Sequence, residues 1–102
     1  MSDLPSDVTI EPVWLVEATY APDAAETRVP FRAEHLREAA RRLAAGVYVE
    51  AGAYTDVSSS IFIVRAESEA AAIALVGDDV YLRNGVWVEL RARPFGRVRR
   101  GG

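Results

Sequence analysis

The chain has 102 residues, half of them apolar, which allows one domain around a single core. Nothing in it nears the ~20 consecutive apolar residues of a membrane-spanning helix, and the acidic start Met1-Ser2-Asp3-Leu4-Pro5-Ser6-Asp7 lacks the basic and apolar regions of a secretory signal, so a cytoplasmic protein is expected. With no cysteine and one histidine, disulfides, thiolate chemistry and a transition-metal site are set aside.

Every basic residue is arginine, and Arg91, Arg93, Arg97, Arg99 and Arg100 crowd the end of the chain. The net charge of −3 and the lack of a broad basic face argue against nucleic acid as a partner. The tail reads instead as a solvated edge.

In chain order, residues 1–12 are polar and punctuated by proline and are expected to form a mobile extension. The domain proper is expected over 13–98, with 99–102 as a tail. The run Val13 to Tyr20 is rich in β-branched and aromatic residues and predicts a strand ending at Ala21-Pro22-Asp23. After a loop, Pro30 suits a first helical turn, and a helix to Ala45 stops at Gly46. Its apolar residues Leu36, Ala39, Ala40 and Leu43 recur at three- and four-residue spacing, the mark of a core-facing stripe.

Val47 to Tyr54 and Ser60 to Ala66 predict two strands joined by a turn over 55–58. Ser68 is placed to cap a second helix that ends at Gly77, with Glu67 and Glu69 suited to the positive end of the helix. A loop from Asp78 to Asn84 leads into a last strand from Gly85 to Phe95.

The order strand, helix, strand, strand, helix, strand predicts an α+β, ferredoxin-like βαββαβ fold, with both helices on one face of an antiparallel four-stranded sheet. Ile61 and Ile63 alternate with Phe62 and Val64, so the third strand is apolar on both sides. A strand buried on both faces needs a second cover, and a second copy of the chain supplies it most simply. Glu17 and Glu89 interrupt apolar strands. They are expected to pair with Arg65 or Arg91, or to line a polar cavity between two sheets.

His35, in Arg28-x-x-x-Arg32-x-x-His35-Leu36, is the only histidine, and histidine is the residue type suited to proton transfer near neutral pH. It shares a helix face with Phe31 and Ala39 at four-residue spacing, at the border of the apolar stripe. A carboxylate from the Asp78-Asp79 pair on one ring nitrogen would orient the imidazole and leave the other nitrogen free. Arg28 and Arg32 suit a carboxylate or phenolate substrate, although ion pairs with Asp23, Glu26 or the loop aspartates compete with that role. Tyr81 either lends its hydroxyl to the cleft or packs its ring.

Taken together, Arg28-x3-Arg32-x2-His35-Leu36, Gly46-x4-Ala51-Gly52, Glu67-Ser68-x-x-Ala71-Ala72, Asp79-Val80-Tyr81-x3-Gly85 and Arg93-Pro94-Phe95 resemble the YciI-like (YCII-related) family in order and spacing. The resemblance implies a dimeric α/β barrel and hence a homodimer. It also implies a His–Asp pair, which falls on His35 and Asp79, and chemistry that needs no metal and no organic cofactor. One member of that family is a dehydrochlorinase of a chlorinated hydroxylated aromatic, and the barrel resembles that of muconolactone isomerases. The expected activity is therefore of lyase or isomerase type on a small molecule, with His35 and Asp79 catalytic and Arg28, Arg32 and Tyr81 at the substrate. A non-catalytic binding or accessory protein is the alternative. Val80 departs from the pattern, which has proline there.

Overall fold

The computed structural model describes residues 3–101. Strand β1 (Val8–Tyr20) is followed by a short helix α1 (Ala24–Thr27), a 3-10 turn (Val29–Phe31) and helix α2 (Arg32–Ala44). Strands β2 (Tyr48–Ala53) and β3 (Ser59–Val64) form a hairpin. Helices α3 (Glu69–Gly77) and α4 (Val80–Arg83) then lead to strand β4 (Trp87–Arg100). The sheet order is β2-β3-β1-β4 and every pairing is antiparallel, which is the ferredoxin-like arrangement expected.

Local chemistry explains the boundaries. Gly46 ends α2 at a φ of +78°, a conformation that costs glycine little. The Ser68 hydroxyl accepts from the Ala71 amide at 3.1 Å and opens α3. In the β2–β3 turn, Asp56 accepts from both the amide and the hydroxyl of Ser58. The next residue inward, Val57, holds a φ of 59° that is rare for a β-branched side chain.

The core lies between the sheet and the helices. Val16, Ala18, Phe62, Val64, Tyr48, Val76, Tyr81 and Trp87 are buried within it. The register fixes the opposite face. Leu15 pairs with Ile63 and Glu17 with Ile61, on the side away from the helices, and both isoleucines are half-buried.

Several expectations are corrected. Strand β1 begins at Val8, so residues 8–12 are not part of a mobile extension: they pair with Gly96 to Arg100 of β4. The same pairing carries β4 through Arg99 and Arg100 and shortens the expected tail. Met1, Ser2 and Gly102 lie outside the described residues. The 21–31 loop contains α1, and the 78–84 loop contains α4.

A bulge where Tyr20 pairs with Trp87 and Thr19 with Glu89 leaves Val88 as the extra residue, 60% exposed. Trp87 thereby reaches the core, on the same side as Leu90. Arg65 pairs with Glu11, Glu89 with Arg91, and Glu17 makes no ion pair among the described residues.

Candidate active site

Helix α2 carries His35 and Ala39 on its buried side, while Leu36 and Leu43 are 51% and 40% exposed. The apolar stripe read from the sequence is thus split. Its inner edge packs on the sheet. Its outer edge, Leu36, Ala40 and Leu43, lines a cavity of about 480 Å³ between α2 and the hairpin of β2 and β3.

His35 is itself buried, with its ring stacked on that of Tyr81 at 3.9 Å and 11° and edge-on to Trp87 at 5.5 Å. These contacts leave the imidazole little freedom to turn. Its Nδ1 stands 2.8 Å from Oδ2 of Asp79, which is 1% exposed. An ionised carboxylate only accepts, so the proton of a neutral imidazole sits on Nδ1 and the lone pair on Nε2. His35 lines the cavity, whereas Asp79 lies behind it.

Asp79 performs a second task with its other oxygen. Oδ1 accepts from the Tyr81 amide at 2.9 Å and caps α4. The cap and the histidine contact are therefore not competing roles. Val80 fills the first helical position of α4, where an amide has no partner inside the helix and where proline is itself favoured. Asp79 has the extended backbone, ψ 143°, that precedes either residue, so the aspartate keeps its place without the proline.

Surface ion pairs draw α2 towards this segment. Arg42 donates to Asp78 at 3.1 Å, and Arg83 lies 3.6 Å from Glu34. Asp78, the other half of the acidic pair, is spent on this bridge and on Arg83.

Arg28 and Arg32 both line the cavity, and neither side chain makes an ion pair or a hydrogen bond among the described residues. The competing expectation of pairs with Asp23, Glu26 or the loop aspartates is corrected. Arg28 lies instead over the ring of Tyr20, 6.0 Å from its centre. The ring of Tyr81 is packed in the core, and the residue also lines the cavity. Burial pushes its hydroxyl up to about 12, and Tyr20 adds to the rise while Arg28 and Arg32 oppose it. Tyr81 therefore stays a neutral donor at physiological pH.

Tyr20 and Ser60 complete the polar wall, with the Ser60 hydroxyl donating to Tyr20 Oη at 2.9 Å. Neither was singled out from sequence. They lie forty positions apart and meet only through the β1–β3 register, in which Ser60 faces Ala18. The rest of the lining is largely apolar: Ala39, Ala51, Ala53, Val57, Phe62 and the exposed ring of Tyr54. All of it lies on the helix side of the sheet, so Glu17 and Glu89 line no part of it.

No curated protein matches the chain. A family model, described as the YCII-related domain, matches residues 13–96, a span that holds every residue of the His35–Asp79 site. On that match, the chain belongs to the YCII-related family.

Proposed function

We propose that this YCII-related protein is a small cofactor-independent enzyme of lyase or isomerase type, moving a proton on a small cyclic or aromatic carbonyl or enol compound. The observation that carries this reading is the buried contact between His35 Nδ1 and Asp79 Oδ2, which leaves the other ring nitrogen free in a residue that lines a ligand-sized cavity. Nε2 takes a proton from carbon or oxygen, and Asp79 stabilises the imidazolium that forms. In an isomerisation the same proton returns to a different atom. In a dehydrochlorination the C–H electron pair becomes the new double bond, chloride leaves with the C–Cl pair, and the proton passes to solvent. Arg28, Arg32 and the Tyr81 hydroxyl hold the acidic oxygens of the substrate.

The test is a screen of small cyclic ketones, lactones and halogenated phenols for solvent deuterium uptake or halide release. The expected result is turnover of at least one class, reduced by about 10²–10⁴ in His35→Ala. Equal turnover in His35→Ala would remove this histidine from the mechanism. Binding without any turnover would favour the accessory-protein reading.

We further propose that the protein works as a homodimer through the sheet face opposite the helices. That face carries Leu15, Ile61 and Ile63, with Glu50 on the β2 edge, Arg91 and Arg93 on the β4 edge, and Glu17 on β1 beside Arg91. Two copies related by a twofold axis would cover the apolar centre and set acidic edges against basic ones. The cavity, on the other side of the sheet, stays accessible in such a pair.

A further inference from the structure

The His35–Asp79 pair leaves Tyr20 and Ser60 without a role. Both are buried, at 6% and 1% exposure, and both line the cavity. A hydroxyl offers one proton and two lone pairs. Tyr20 Oη and the Ser60 hydroxyl bond to each other at 2.9 Å, so of the two protons the pair holds one is used between them and the other meets no acceptor among the described residues. A buried donor without a partner is costly, so this proton is directed at whatever occupies the cavity.

Three surroundings favour an anionic oxygen there. With an anionic oxygen in the cavity the more acidic phenol takes the outer place, so that Ser60 donates to Tyr20 and Tyr20 to the ligand, each bond strengthening the other. The Arg28 guanidinium, which no carboxylate among the described residues neutralises, lies over the Tyr20 ring. Tyr81 is edge-on to Tyr20 with ring centres 6.2 Å apart and stacked on His35, so a single ring separates Tyr20 from the imidazole.

We propose that Tyr20 is the donor that holds the substrate oxygen on which negative charge develops as His35 takes its proton, with Ser60 as the residue that positions and polarises it. The inference rests on the reading of His35 as a base. It adds a second pole to the site, set in place before the proton moves.

The experiment is equilibrium binding of 4-nitrophenolate and of the neutral, similarly shaped nitrobenzene to the full chain, to Tyr20→Phe and to Ser60→Ala. Tyr20→Phe is expected to weaken 4-nitrophenolate by about tenfold or more, as a hydrogen bond to a charged group implies, and to leave nitrobenzene unchanged. Ser60→Ala should shift the same ratio in the same direction by less, and it keeps the test open should Tyr20→Phe not fold. Equal losses for both compounds would mean a packing role and overturn the proposal. So would an unchanged ratio in both variants. If the ratio is unchanged while His35→Ala still abolishes turnover, the oxyanion role fails and the acid–base reading stands. If neither compound binds the wild type, both fail together.

Discussion

Asp79 has both carboxylate oxygens committed, one to His35 and one to the Tyr81 amide, in a place with almost no access to water. Asp79→Ala would orphan a ring nitrogen and a backbone amide at once, and each unsatisfied buried group costs about 1–3 kcal/mol. The expected result is a loss of that order in urea unfolding, and a loss within error of zero would mean that the contacts are not made in solution. Asp79→Asn keeps one acceptor oxygen for the Tyr81 amide and should lose much less. At this scale the sequence was readable where a short pattern holds the chemistry, as at His35 and Asp79. It was silent at Tyr20 and Ser60, whose types are ordinary for strands and whose contact depends on register. Arg28 and Arg32 show a third case: nearby carboxylates made ion pairing the natural expectation, and the fold withholds all of them.

Helix α2 was recognisable from spacing, but its stripe was wider than one partner could use. The sheet covers only the side holding His35 and Ala39, and the remaining apolar residues became a cavity wall. In the last strand, simple alternation breaks at Val88 because a bulge adds a residue and changes the face of everything after it. The early start of β1 was hidden by proline and polar residues, which suit a strand edge as well as a loop.

Besides its backbone pairing with β4, this extension is held by Glu11, which accepts from Arg65 Nε at 2.6 Å and from Arg97 Nη1 at 2.9 Å. Hydrogen bonds from Arg65 and then Arg97 pull its carboxyl from 4.5 down to about 2. A depressed carboxylate stabilises the fold above its unfolded value, and that contribution is lost as pH falls from 4.5 through about 2. Glu11→Gln should therefore show a shallower fall of Tm over this acid range than the wild type. Parallel curves would place the clamp's charge outside the stability balance.

The molecule measures 51 × 25 × 23 Å, longer than its four-stranded body needs because β1 and β4 run on as a two-stranded ribbon. Its overall architecture followed from the element order, which β-branched runs and the helix start and stop residues Pro30, Gly46, Ser68 and Gly77 mark along the chain. The position of the cavity did not follow, because it depends on how far α2 stands from the hairpin. The exposed sheet face is the part of the molecule whose partner is proposed above. Sedimentation should give twice the mass of the chain, and Ile63→Glu, which sets a carboxylate at the centre of that face, should give the single-chain mass. A monomeric wild type would contradict the proposed pairing.

Asp79 fixes which nitrogen of the sole histidine carries the proton and which keeps the lone pair, and imidazole ¹⁵N NMR reads this directly. In the wild type the neutral ring should carry its proton on Nδ1. In Asp79→Asn the side-chain oxygen stays with the Tyr81 amide, its NH₂ group turns to His35, and the ring proton should move to Nε2. A proton on Nε2 in the wild type, or a tautomer that does not change in Asp79→Asn, would contradict the account.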